Sequence, residues 1–309
     1  MKPIERIVIN GRGETKAVYP EVTIRKPEAK DPRTFLGQID VMQEVQARRV
    51  ENSPWREEVD IGISCKSEWF GIRPLSDFHI GAEGVDYERL KEVVGSVKDR
   101  PNLRTVLLGD IGDFFIPAGK HKDAILGQVA NPQDQLDTIT QFFNEYKDEI
   151  LAMSNDPSHV DWVYQATGID AYRTMSQGTG IPLVNQGGRI GIDLGEIHYD
   201  LIPFHNIGRF KSSFNLTHAH KRVLELHRDG DAVMSGHIHH SGYEIARRNG
   251  HEVALLQCGT VKTSDAWGAK MGFLGRPDSG YPILLLNTRK KQVAIAPNIE
   301  QADYYLDRV

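Results

Sequence analysis

The chain has 309 residues, 39% apolar and 26% charged, a composition that excludes a disordered or low-complexity protein. A formal charge of −5 argues against the broad basic surface with which duplex-DNA binders neutralise phosphates. Two cysteines, Cys65 and Cys258, exclude a disulfide framework and a cysteine-built zinc site.

The opening stretch "MKPIERIVIN" has no signal-peptide core, and apolar runs such as "YPILLLN" are far too short to span a bilayer. A cytoplasmic protein that makes no use of a membrane is therefore expected. Residues 1–58 read as an N-terminal arm, broken by Pro20, Pro27, Pro32 and Pro54. Within it, "RTFLGQIDVMQEVQARRV" sets Phe35, Leu36, Ile39, Met42 and Val45 along one helix. The arm holds few large apolar residues, so it is expected to pack on the main domain or to join a second copy in a homo-oligomer.

Residues 59–309 form the main domain, in which strands and helices alternate. "EVDIGIS" and "FGIRPLS" predict strands, "YERLKEVVGSVK" a helix and "RTVLLGD" a short buried strand. "PQDQLDTITQFFNEYKDEILAM" predicts one long helix. "GGRIGIDLGEIHYDLIPF" reads as a hairpin turning at Leu194-Gly195, "HAHKRVLELHRDG" as a helix and "DAVMSG" as a strand. "GYEIARRNGHEVALLQ" is a hairpin with Asn-Gly at its turn, followed by the closing strands "YPILLLN" and "KQVAIAP". This order predicts an α/β four-layer sandwich, two mixed β-sheets packed face to face and flanked by helices.

Five segments end in groups able to bind metal. Asp77 and His79 follow the second strand, and spacing of two on a strand would point both to one face. Asp110 and Asp113 end "TVLLGDIGD"; Asn155, Asp156 and His159 lie in "SNDPSH"; His205 ends "YDLIPFH". "MSGHIHHSG" brings His237 and His239, again two apart. A lone histidine, a Gly-Asp turn or an Asn-Asp-Pro turn is ordinary by itself. Their recurrence at successive element ends, where α/β sheets place ligands, has one shared explanation in a metal site.

Two aspartates, an asparagine and four histidines suit six-coordinate ions such as Mn²⁺, Fe or Zn²⁺ and fit a tetrahedral structural zinc poorly. Seven groups exceed what one ion accepts, so two ions bridged by a carboxylate are expected. Paired ions about 3.5–4 Å apart suit phosphate-ester hydrolysis.

Asp77-Phe-His79, Gly109-Asp110-Ile-Gly-Asp113, Asn155, His205 and Gly236-His237-Ile-His239 together resemble the ordered motifs of calcineurin-like metallophosphoesterases. The resemblance spans residues 77 to 239 and leaves the arm uncovered. It implies the metallophosphoesterase fold, a first ion on Asp77, His79, Asp110 and His239, and a second on Asn155, His205 and His237, bridged by Asp110. A hydroxide bridging the two ions, Mn²⁺ as the first expectation, would attack phosphorus in line. His240 would face away and take no part.

One position departs from the family. Ser154-Asn155-Asp156-Pro157 stands where the family has Gly-Asn-His-Asp/Glu, so the histidine that protonates the leaving oxygen is missing. Asp156, paired with Asp113 and sharing a proton of raised pKa, is one replacement; His159 is another; loss of the acid is the third. Candidate substrate contacts are Arg209, Lys211, Ser212, Ser213, His218 and His220 in the stretch after His205, with Lys262 and Trp267 further on. Phe114-Phe115 after the second motif is unlike the Ser/Thr phosphatase branch and closer to the DNA-repair nuclease and general phosphodiesterase branches. A phosphodiesterase acting on nucleic acid or a nucleotide is thus expected, with a phosphomonoesterase or a metal-binding scaffold as alternatives.

Overall fold

A computed structural model describes residues 6–9, 15–18, 34–51, 53, 55–98, 100–114, 127–155, 158–208, 215–226, 229–263 and 280–306. The chain divides into two compact units, Met1–Ser53 and Pro54–Val309. In the first, β1 (Arg6–Ile9) and β2 (Thr15–Val18) form an antiparallel pair, and α1 (Phe35–Glu51) is the helix expected of that stretch.

The second unit holds β3 (Trp55–Gly62), β4 (Trp69–Leu75), α2 (Tyr87–Lys98), β5 (Leu103–Leu107), α3 (Pro132–Glu145) and β6 (Ile150–Ser154). It continues through α4 (His159–Thr167), α5 (Ala171–Ser176), β7 (Leu183–Leu194), β8 (Ile197–Pro203) and α6 (His218–Leu226). β9 (Ala232–Ser235), β10 (Gly242–Arg248), β11 (His251–Gln257), β12 (Ile283–Asn287), β13 (Val293–Ala296) and α7 (Ile299–Leu306) complete it. No helix among the described residues is long and apolar enough to cross a membrane.

One sequence expectation fails in this region. The long helix stops at Glu145, and "ILAMS" is the central strand β6, paired in parallel with β5 and β7. A strand buried on both faces is continuously apolar and shows no alternation, so its run merged with the helix before it. The actual helix, capped by Asn131 and opened by Pro132, buries Gln135, Ile139 and Phe143 at intervals of one helical turn.

Pairing runs without interruption through eleven strands in the order β10-β11-β9-β8-β7-β6-β5-β4-β12-β13, with β3 on β7. The two expected sheets are therefore two halves of one ladder joined at β7. Its start pairs with β6 and its end with β8. Between those parts β7 bulges against β3, with Gly187 in the left-handed region at φ 71°. The outer strands return on each other, since β13 packs against β10 and β11.

The second half shows why a helix covers it. Leu201, Ala232, Met234, Ala254 and Leu256 join the main core. Their strand neighbours Ile202, Val233, Val253 and Leu255 point the other way, into a smaller cluster with Val223 and Leu224 of α6. On the first half α2 buries Val93, Val94 and Val97.

At the far end of the β7–β8 hairpin, Asp193 stands opposite His198. His198 Nδ1 lies 2.6 Å from Asp193 and Nε2 2.9 Å from Asp200, with Arg189 at 3.2 Å. The hydrogen bond to Asp193, set against desolvation and helped by Asp200, raises the imidazole above its usual 6.5. A raised folded-state pKa stabilises fully below the unfolded value and is lost as pH rises through the folded one. The unfolding free-energy gap between the native protein and His198→Gln should thus be widest below the usual imidazole value of about 6.5 and narrow as pH rises above it. Urea melts on either side of that value check it; a gap that does not change with pH would remove the charge pairing from the account.

Candidate metal centre

The site lies beyond the C-terminal ends of β4, β5, β6, β8 and β9. Asp77 and His79 are not on a strand, because β4 stops at Leu75; nor are His237 and His239, because β9 stops at Ser235. The strand argument for their common direction is corrected accordingly. Asp77, His79, Asp110, His237 and His239 all take left-handed backbone, with φ of 57, 49, 48, 74 and 58°. Such conformations cost roughly 1–3 kcal/mol each at non-glycine residues and gather at functional sites.

Loop hydrogen bonds, not pleat, aim these side chains. Asp77 N–H donates to Gly109 O (3.1 Å) and His79 N–H to Asp110 O (2.9 Å). His237 N–H donates to both carboxylate oxygens of Asp77, at 2.8 and 3.0 Å. Gly236 N–H reaches His205 O at 3.1 Å, which locks the β8 end to the β9 end.

Three groups of side chains result. Asp77, His79 and His239 offer ligand atoms within 4.8 Å of one another; so do Asp110, His205 and His237, and so do His79, Asp113 and His159. The first two are made of the ligands expected from the sequence. His79 Nε2 is 3.0 Å from His239 Nε2 and 3.8 Å from Asp110 Oδ2. His205 Nε2 is 3.1 Å from the same Oδ2 and 3.2 Å from His237 Nδ1. Asp110 therefore stands between the first two groups.

The chemistry of these atoms suits cations. His205 Nδ1 lies 3.0 Å from the carbonyl of Leu108, which can only accept, so Nδ1 carries the proton. In the neutral ring Nε2 then presents a lone pair to a carboxylate oxygen. Two such acceptors repel unless a cation or a shared proton lies between them. His79 is built alike, with Nδ1 on Asp113 Oδ1 at 2.9 Å and Nε2 facing inward. A ligand histidine typically has its other nitrogen held in this way.

Burial, then the charge of Lys262, pushes His79 down to about 4 against the pull of Asp113, leaving a neutral ring at neutral pH. Burial alone would raise Asp77, but hydrogen bonding and charge from His239, with His205 behind, hold it at about 2. For Asp110 burial is likewise overcome, chiefly by His205 and His159, and the carboxyl stays well below its usual range.

Of the pair Asp113 and Asp156, one of which is expected to hold a proton of raised pKa, Asp113 does not. Burial pushes it up, but His79 and Lys262 outweigh that and hold it low. It orients His79, and Gln128 Nε2 donates to its second oxygen at 3.3 Å. Lys262 Nζ donates to Asp113 Oδ1 at 3.1 Å, so this candidate substrate contact braces the His79 arm.

His159 is brought to the centre. Its ring packs 4.9 Å from that of His79, Nδ1 contacts Asp113 O, and Nε2 is 3.8 Å from Asp110 Oδ2. Asn155 follows β6 with its N–H on Val184 O (2.9 Å), and no side-chain hydrogen bond of Asn155 is present among the described residues. Asp156, Arg209, Lys211, Ser212, Ser213 and Trp267 lie outside the described residues.

His218 is exposed at the start of α6 and belongs to none of the ligand groups found among the described residues. His220 is corrected from substrate contact to structural residue: it is fully buried, with Nε2 at 3.0 Å from Leu256 O. His240 belongs to none of these ligand groups, but the strand expected to turn it away is absent.

Three supports were missed in the sequence. Gln257 Nε2 donates to Gly236 O (2.7 Å), Thr260 Oγ1 to Asp77 O (2.6 Å), and Ser158 Oγ to Asp110 Oδ1 (2.6 Å). Each is a common polar residue that acquires its role only through folding.

No protein-family model and no curated protein matches the chain. Among solved structures it is similar to a metallophosphoesterase from Sphaerobacter thermophilus, at 15% identity and a TM-score of 0.33, over 74% of this chain and 88% of that one. It is also similar to zinc-bound Vps29 from Entamoeba histolytica, at 12% identity and a TM-score of 0.31, over 74% and 97%. A third is an uncharacterized Streptococcus pneumoniae protein described as a phosphoesterase, at 14% identity and a TM-score of 0.30, over 74% and 97%. At these scores the likenesses bear no weight for function, which stands on the side chains described above.

Proposed function

We propose that the chain is a calcineurin-like metallophosphoesterase that hydrolyses a phosphodiester of a nucleotide or nucleic acid on two divalent ions. The observation that carries this reading is Asp110 Oδ2, which faces His79 on one side and His205 on the other. A single buried carboxylate oxygen between two sets of inward-facing ring nitrogens is what a shared ligand of two ions requires. Asp77, His79 and His239 would hold the first ion with Asp110; Asp110, His205, His237 and Asn155 would hold the second. Mn²⁺ is the expected metal, with Fe or Zn²⁺ as alternatives. When bound, the pair supplies an activated water and neutralises charge on the phosphoryl oxygens.

The chain's own residues do the rest. Asp113 and Leu108 O fix the ring tautomers of His79 and His205, so the Nε2 lone pairs face Asp110 Oδ2 and the ions it would share. We assign His159 to the leaving oxygen: Nδ1–H donates to Asp113 O and Nε2 faces the centre, so the ring would act as the imidazolium and give up its Nε2 proton. Such acid help is worth about 10²–10⁴-fold for a poor leaving group and little for a good one.

The test is turnover of bis-p-nitrophenyl phosphate against p-nitrophenyl phosphate by metal-stripped protein refilled with Mn²⁺. Faster hydrolysis of the diester is expected. Turnover of the monoester alone would replace the reading with a phosphomonoesterase, and inactivity on both with metal bound would favour a scaffold. His159→Gln should spare this activated ester and slow an alkyl diester by at least about tenfold.

A further inference from the structure

Ser158 is the N-cap residue of α4, a position where serine ordinarily turns its hydroxyl back onto the helix's first N–H groups. Here it makes no such bond. Its Oγ instead lies 2.6 Å from Asp110 Oδ1 and 3.4 Å from His205 Nε2. Both partners are buried, Asp110 at 2% exposure and His205 at 0%. A hydroxyl donating to a carboxylate at that distance makes one of the stronger hydrogen bonds available to a neutral side chain.

The two oxygens of Asp110 are thereby given different work. Oδ1 accepts from Ser158. Oδ2 faces ring nitrogens of the first two ligand groups, His205 Nε2 at 3.1 Å and His79 Nε2 at 3.8 Å. A carboxylate with both oxygens available can bridge two ions through two atoms or one, and the choice changes how closely the ions sit and how strongly they couple.

We propose that Ser158 is a positioning residue of the metal centre: it occupies Oδ1 and turns Asp110 so that Oδ2 is the oxygen that would be offered to both ions. This rests on the reading of Asp110 as their shared ligand. The hydroxyl thus acts through Asp110 without touching substrate. Ser158 also couples the start of α4, and with it His159, to the carboxylate the ions would share.

The experiment compares native protein, Ser158→Ala and Ser158→Thr, each metal-stripped and reloaded with Mn²⁺. Calorimetric titration counts the ions, and electron paramagnetic resonance reads the exchange coupling of the pair. Ser158→Ala should bind the second ion about 10–100-fold more weakly, or bind it with altered coupling, while the first ion, which keeps Asp77, His79 and His239, loses less. Ser158→Thr keeps the hydroxyl and should restore both. If the native protein shows a coupled pair and Ser158→Ala leaves affinity and coupling unchanged, the proposal alone is overturned, even if the metal-free protein melts lower. If the native protein binds no second Mn²⁺, the two-ion reading falls and the proposal with it.

Discussion

Asp110→Asn should lower kcat/KM on a phosphodiester by at least about 10³-fold, about 4 kcal/mol of transition-state stabilisation, in Mn²⁺-refilled protein. Asparagine keeps the shape of the side chain and its contact with Ser158, so the change is chiefly one of charge. That charge lies at 2% exposure, with His205 Nε2 3.1 Å away and His79 and His159 Nε2 both at 3.8 Å. Little water can reach the site to take over its task, and both ions would lose the carboxylate they share.

Asp113→Asn is the comparison. It also removes a buried carboxylate, but one that reaches the centre through His79 Nδ1, and an orienting partner is worth about 10–100-fold. The order Asp110→Asn far below Asp113→Asn, with metal content measured alongside rate, is the expected result. Turnover within tenfold of native and both ions retained in Asp110→Asn would remove Asp110 from the centre.

The sequence showed the ligand groups more readily than the elements that carry them. That Asp77, His79, Asp110, His205, His237 and His239 would gather in one place was legible, because few structural tasks require carboxylates and imidazoles in that order. The strand-period reason for the common direction of Asp77 with His79 and of His237 with His239 was wrong: it supposes regular backbone, and these four residues turn away from it with positive φ. Left-handed geometry at a non-glycine residue leaves no mark in composition. It is imposed by long-range bonds such as His237 N–H to Asp77, across 160 positions.

Hairpins were legible for the opposite reason, since their signals are local. Asn249 and Gly250 adopt positive φ at the β10–β11 turn, as an Asn-Gly turn demands. The strand β6 was hidden because its burial on both faces erases alternation, and α7 lies past the last motif considered. Continuity of the ladder through β7 was equally out of reach, because it depends on which strands a bulged segment meets on either side of Gly187. Ser158 carries no signal beyond being a serine before a helix, and its position suggests a cap it does not make.

Gly236→Ala should disable the centre without touching a ligand. Gly236 has no unusual φ, so only space is at stake. A Cβ built there would overlap Ser76 Oγ and stand 2.5 Å from Asp77 Oδ2 and 2.7 Å from Ser76 Cβ. Ser76 and Asp77 are both at 0% exposure and Tyr281 OH holds Ser76 O at 2.9 Å, so neither residue has room to retreat. Overpacking of this kind costs about 1–3 kcal/mol of stability. The carboxylate it displaces also accepts from His237 N–H, so the ligand loops on both sides shift together.

A drop of about 10–100-fold in metal affinity is therefore expected, the range found when an orienting contact is lost. Gly250→Ala separates the two effects. Its Cβ meets nothing within 4 Å, but φ is +87°. It should lose about 1–2 kcal/mol to left-handed strain and bind Mn²⁺ as the native protein does. Chemical denaturation and Mn²⁺ titration of both variants decide the matter. If Gly236→Ala bound both ions with native affinity, Asp77 would be movable and the packing of Gly236 against it would not govern the site.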